Sequence, residues 1–216
     1  MRMSDITWKK LLLFFGGLLL LALGIALSTV SGLGISPLNS LAFVISELSG
    51  VQMGYVTMLL YVAYVALEIP VKGRDFRAAD LLQVPVAVIF GFFVNWTKQM
   101  VSGIVPANYA IRLLFTAASI VLIAAGTTIY VIPNLALQAP EGLILAICGR
   151  WKLKFGNVKL GFDITVVAIA AVVGLAFSGH VIGIREGTLL AAVCVGLCVS
   201  FFGRHLKPGL QRFCER

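Results

Sequence analysis

Two carboxylates, Glu141 and Asp163, stand inside stretches that are otherwise apolar. A carboxylate in such a setting is costly unless it is paired, hydrated or used. Glu141 follows Pro140 at the start of a short helical segment, where the positive end of the helix dipole favours the charged form. There it can bind a cation, take up a coupling proton or fill an anion position itself; simple helix capping is the structural alternative. Asp163 lies four residues after Lys159, the spacing of an ion pair on one helix face, and such a pair is its simplest reading. Both carboxylates are the candidates for coupling to an ion gradient.

Polar groups gather at two breaks in the apolar pattern. The first reads Gly32-Leu33-Gly34-Ile35-Ser36-Pro37-Leu38-Asn39 and the second runs from Ile132-Pro133-Asn134 to Gln138-Ala139-Pro140-Glu141. Ser36 occupies an N-cap position with Pro37 at the first helical residue, as helix starts prefer. Gly32 and Gly34 permit a tight backbone path. Free amides at a helix start favour an anion or carboxylate, so Ser36, Asn39, Gln138 and Glu141 are the candidate substrate-binding residues. Gly32, Gly34, Pro37, Pro133 and Pro140 are the structural breaks.

These groups need elements to hold them, and the composition names the setting. The 216 residues are 60% hydrophobic and only 12% charged, against about 25% charged in soluble domains, and mean hydropathy is +1.01. Apolar runs near 20 residues recur throughout, so the chain reads as one membrane domain, 1–216, with spans at about 11–31, 54–71, 80–98, 109–131, 159–178 and 187–203. The first run is read as a span rather than a signal peptide. Segments 37–48 and 140–149 reach only about 18 Å and 15 Å at 1.5 Å per residue, against about 30 Å of hydrocarbon. They are expected to be re-entrant.

Charge placement favours cytoplasmic termini. With both short segments re-entrant, 14 of the 17 basic residues face the cytoplasm, in groups at Arg2–Lys10, Lys72–Arg77, Arg150–Lys159 and Arg204–Arg216. Lys98, Arg112 and Arg185 remain outside. Full crossing by both segments would give 13 of 17, so helix length decides the matter. The net charge of +8 sits in short clusters beside spans, which suits lipid headgroups and argues against a nucleic-acid partner.

The halves 9–98 and 109–203 match at an offset near 102: Gly24 falls on Gly126, Leu41 on Leu143, Tyr61 on Asp163, and Met53-Gly54-Tyr55-Val56 on Phe155-Gly156-Asn157-Val158. Three crossings per copy require the second copy to be inverted. The expected fold is therefore an all-α polytopic membrane protein, with six transmembrane helices and two short re-entrant half-helices in an inverted 3+3 repeat. The starts of the half-helices would then meet near the midplane.

Other features are bland. Glu47, Glu68 and Arg185-Glu186 lie near interfaces, where solvation and local pairing are expected. The cysteines have no metal-ligand spacing, and His180 and His205 lack companion ligands, so no metal and no cofactor are expected. No nucleotide-binding fingerprint or nucleophile–base grouping appears, and the chain is not read as an enzyme. Gly50-x-x-x-Gly54 allows a homodimer or close packing within one chain.

From Gly24 to Asn39 the chain resembles the YczE/YyaS/YitT family of bacterial integral membrane proteins, closest to its YczE-like branch. Leu137-Gln138-Ala139-Pro140-Glu141 is similar to a Gly-x-Gly-Pro-x-Asp stretch of that family, without its glycines. Gly183-Ile184-Arg185-Glu186-Gly187-Thr188 is similar to a Gly-Ile-Gly-Thr stretch, with an insertion. Asn39 stands where members often carry an acid. The resemblance implies a multi-pass protein of the bacterial cytoplasmic (inner) membrane, in a family tied to suspected transport or secondary-metabolite production. The residues point first to a secondary carrier for a small anion or carboxylate-bearing molecule at the broken helices. A passive channel and a non-catalytic membrane accessory protein are the alternatives.

Overall fold

The structure is a computed structural model that describes residues 7–215. Arg2 and Arg216 of the charge count lie outside the described residues. All regular elements among the described residues are helical: α1 (Trp8–Ser31), α2 (Pro37–Ser49), α3 (Met53–Lys72), α4 (Gln83–Val101), α5 (Tyr109–Val131), α6 (Ala139–Trp151), α7 (Phe155–Ser178) and α8 (Glu186–Glu215). Two 3₁₀ turns, Gly73–Asp75 and Ala78–Leu82, connect α3 to α4. Six helices, α1, α3, α4, α5, α7 and α8, are long and apolar enough to cross a membrane. At 13 residues each, α2 and α6 are not; they reach about 20 Å. The last helix continues past its expected end at 203, because residues 204–215 are mostly good helix formers and Pro208 is absorbed within it.

Helices in lipid gain little from apolar burial against one another, so close backbone approach through small residues must hold them. The central crossing of α1 and α5 does this. A Cβ on Gly126 would lie 2.5 Å from the Leu21 amide nitrogen and 2.7 Å from the Gly17 carbonyl oxygen; one on Gly24 would lie 2.8 Å from the Ile123 nitrogen. Gly17 meets Tyr130 while Gly24 meets Ile123, so the two helices run antiparallel. Around this pair, α4 packs on α1 and α8 on α5, while α6 packs on α3 and α2 on α7. Elsewhere, Gly54 of α3 meets Gly91 of α4, and the Gly54 amide donates to Asn95 Oδ1 at 2.7 Å. Gly54 is thus used within the chain. The Lys9 ammonium lies 5.3 Å from the Phe213 ring centroid, which puts the start of α1 and the end of α8 on one side of the bundle.

The break after α1 is carried by positive φ at Gly32 (65°) and Gly34 (120°). Its freed backbone groups find partners in the α7–α8 connection. Ile35 N–H donates to the Gly183 carbonyl at 3.0 Å, Gly187 N–H donates to the Leu33 carbonyl at 2.8 Å, and Arg185 donates to the Gly32 carbonyl at 3.3 Å. Backbone groups that leave helical pairing are thereby satisfied. The break after α5 passes through Asn134 at φ 51° and runs beside the α3–α4 connection, where the Gln83 amide rests against Gly142 of α6.

Candidate functional site

Gln138 and Glu141 come together at the start of α6. Gln138 is its N-cap residue and makes no capping bond with its side chain; Pro140 lies in the first turn, where its missing N–H costs nothing. The Gln138 side chain is buried, and its Oε1 accepts from the Tyr61 hydroxyl of α3 at 3.5 Å, while its Nε2 has no partner. Glu141 is half-buried as a residue, yet its Oε2 is inaccessible and unpartnered. The Tyr130 hydroxyl at the end of α5 is likewise buried without a hydrogen-bond partner, although it interacts electrostatically with Glu141. The Tyr130 hydroxyl and the Glu141 carboxylate thus lie beside one another in the interior, and Gln138 Nε2 is buried without a partner.

Aromatic packing fixes the walls. The Tyr61 ring stacks on Phe90 of α4 with centroids 5.8 Å apart, and Tyr64 meets Phe162 of α7 edge-on at 5.4 Å. Across α6, Lys159 and Asp163 of α7 act on Glu141 with opposite signs. They form the expected i,i+4 pair, with Lys159 Nζ 2.6 Å and 2.7 Å from the two Asp163 carboxylate oxygens. Asp163 is thus held by its own helix neighbour beside the Glu141 cluster.

The first break is organised differently. Ser36 and Asn39 are both buried. Ser36 caps α2 by position, but its hydroxyl accepts from Asn39 Nδ2 at 2.8 Å instead of a backbone amide. Asn39 Oδ1 is left without a partner. Among the described residues, no hydrogen bond or ion pair joins Ser36 or Asn39 to Gln138 or Glu141. Each short helix leans instead on both α3 and α7.

Sequence reasoning left out Tyr130 and Gln83. Tyr130 lies eight residues before Gln138, a polar aromatic just ahead of the second break; that position was the available signal. Glu68 is paired locally, as expected, with Lys72 Nζ 2.6 Å away. It is nevertheless fully buried, not solvated, because Gln83 Nε2 also donates to it at 2.8 Å. Glu47 makes a looser pair with Lys98 at 3.7 Å.

Six helices long and apolar enough to cross a membrane, with polar side chains buried among them, define a helical membrane protein. Residues 8–204 match DUF6198, a family of unknown function, and the chain belongs to it. It is 31% identical over 186 residues to the uncharacterized protein YyaS of Bacillus subtilis, covering 85% of this chain and 87% of the relative. The uncharacterized membrane protein YczE of the same organism is 26% identical over 192 residues, with 87% and 82% covered. An uncharacterized protein of Haemophilus influenzae is 26% identical over 195 residues, with 90% and 84% covered. The resemblance read from the breaks therefore holds for YczE and YyaS. No solved structure matches the chain.

Proposed function

We propose that this protein is a secondary carrier for a small anion or carboxylate-bearing molecule, bound at the start of α6. One observation carries the reading: at the start of α6 the Tyr130 hydroxyl lies against the Glu141 carboxylate, and Gln138 Nε2 is buried without a hydrogen-bond partner. The two donors suit a carboxylate, and a helix start favours it. Glu141 competes for the same place. Ionised, its own carboxylate fills the anion position; protonated, it yields that position and can itself donate. Proton uptake by Glu141 and anion binding are then linked, which is symport chemistry, with the Lys159–Asp163 pair adjusting the local charge. Ser36 and Asn39, with Asn39 Oδ1 open, are the matching polar group at the first break.

Part of the packing supports the inverted repeat. Exchanging α1–α4 for α5–α8 maps α1 on α4 to α5 on α8, and α3 on α6 to α7 on α2, all packed pairs, whereas α3 packs on α4 without an equal contact of α7 on α8. Each break also lies against the connection that precedes the fourth helix of the other half. In this reading α2 and α6 are re-entrant, both termini are cytoplasmic and the membrane is the bacterial inner membrane. The cluster holds no nucleophile–base pair among the described residues, so transport is preferred to catalysis. Lipid covers the exposed apolar faces, and a homodimer would form on surfaces other than Gly54.

The test is thermal unfolding of the detergent-purified protein against carboxylates, inorganic anions, amines, amino acids and sodium over a pH range, with Glu141→Gln in parallel. Among the anions, saturable stabilisation by carboxylates that loses its pH dependence in Glu141→Gln is expected, followed by saturable uptake into proteoliposomes. Stabilisation by no anion, or uptake that never saturates, would sink the carrier reading.

A further inference from the structure

A second polar cavity, of about 230 Å³, opens between the end of α3, the α3–α4 connection, the start of α4 and the second break. Its polar lining is Glu68, Lys72, Asp80, Gln83 and Asn134, with residues 135–137 and Gly142 beside them. Neither Tyr130 nor Glu141 lines it.

The bonding pattern here is incomplete in a specific way. Lys72 Nζ bridges Glu68 Oε1 at 2.6 Å and Asp80 Oδ1 at 3.0 Å. Gln83 Nε2 holds the other Glu68 oxygen. The Arg77 backbone N–H donates to the second Asp80 oxygen at 2.8 Å. Among the side chains that line the cavity, two carboxylates thus face one ammonium. Gln83 is 4% exposed, and its Oε1 has no hydrogen-bond partner although the residue lines the cavity. Gly142 permits this placement: a Cβ there would collide with the Gln83 amide oxygen. A buried amide oxygen is rarely left without a donor. What the cavity lacks is therefore an N–H donor carrying positive charge.

We propose that this cavity binds a small organic ammonium. Its N–H groups donate to Gln83 Oε1 and to the Glu68–Asp80 carboxylate pair, and its short carbon chain lies along Leu135, Ala136 and Leu137 of the second break. Lys72, about a quarter exposed at the rim, is the resident counter-ion that shifts toward Asp80 as the ligand approaches Glu68. A bare metal cation fits the site less well. It needs several oxygens closing tightly around it, whereas here the lysine already stands between the carboxylates and the cavity exceeds the size of an ion.

Thermal-shift titrations of the full-length detergent-purified protein with ethylammonium chloride test this, at constant ionic strength. Tetramethylammonium, which has the charge without N–H donors, and sodium are the comparison arms. Saturable stabilisation by ethylammonium alone is expected. Gln83→Leu and Asp80→Asn should each raise the apparent Kd about tenfold or more; Asp80 is the more exposed of the two carboxylates, so Asp80→Asn is the milder change for the fold. Glu141→Gln should leave the ethylammonium response intact, which separates this site from the carrier site. Equal responses to all three cations, a response to sodium alone, ethylammonium affinity unchanged in both variants, or its loss in Glu141→Gln would each overturn the proposal.

Discussion

The Tyr61 hydroxyl reaches Oε1 of Gln138 across 77 positions of sequence, at 3.5 Å, so the middle of α3 is tied to the cap of α6. That distance is long for a hydrogen bond, and the contact contributes little to stability by itself. It holds Gln138 by its Oε1 and leaves the buried Nε2 without a partner. Tyr61→Phe is therefore expected to lower stability by less than about 1 kcal/mol. The same change should weaken carboxylate binding about tenfold, a loss of about 1.4 kcal/mol. Thermal-shift titration reads both quantities. A large fall in melting temperature with unchanged affinity would make Tyr61 part of the scaffold only.

The central crossing gives a sharper stability prediction. At Gly126 an added methyl meets backbone atoms of Leu21 and Gly17, which cannot rotate away. Gly126→Ala should cost about 1–3 kcal/mol, as overpacking does, whereas Gly16→Ala, with nothing within 4 Å, should be silent. Melting curves of the two purified variants in one detergent decide this. Equal behaviour would mean that α1 and α5 do not pack as described.

Much of this fold was legible because lipid imposes a simple rule on sequence. Spans read at 54–71 and 109–131 became Met53–Lys72 and Tyr109–Val131, and the two short helices begin within a residue of their marking prolines, Pro37 and Pro140. Lys159 and Asp163 also paired as their spacing predicts. What could not be read was convergence. Glu68 and Gln83 are fifteen residues apart across a turn, and nothing in an apolar sequence says that the turn folds both under the second break. Tyr130 escaped notice because an aromatic at a span end reads as an interface anchor. Its hydroxyl is instead fully buried beside Glu141.

The first break makes its own prediction. Gly34 adopts φ 120°, and a Cβ there would lie 2.6 Å from Thr188 Oγ1 and 2.9 Å from its amide nitrogen. Gly34→Ala is thus strained twice, by its backbone conformation and by the docking of the break on α8. It should destabilise the protein more than Gly32→Ala, whose Cβ would find its nearest neighbour, an Arg112 side-chain nitrogen, 3.7 Å away. Limited proteolysis at the α7–α8 loop should quicken in Gly34→Ala. Unchanged protection would detach the break from that loop.

The contact between Lys9 and Phe213 places both ends of the helical bundle on one side. Fusion of green fluorescent protein after the last residue should fluoresce in bacteria, and alkaline phosphatase at the same point should be inactive. A fusion in the 102–108 connection should show the opposite pattern. Active phosphatase at the C-terminal end would reverse the orientation inferred from the basic clusters.

Lys159 and Asp163 allow a direct separation of structure from coupling. The pair is bidentate, with side chains 32% and 18% exposed. Its loss should therefore cost more than the ~0–1 kcal/mol of an exposed pair and less than the ~3–5 kcal/mol of a fully buried one. Lys159→Met alone leaves the Asp163 charge uncompensated beside Glu141, and should be the least stable variant. Asp163→Leu combined with Lys159→Met should recover much of that loss, because neither charge then needs a partner. The coupling energy of this cycle reports the pair directly. If the double variant regains stability but its carboxylate response no longer depends on pH, Asp163 takes part in coupling. If it regains both, the pair only holds α7 in place and coupling rests on Glu141.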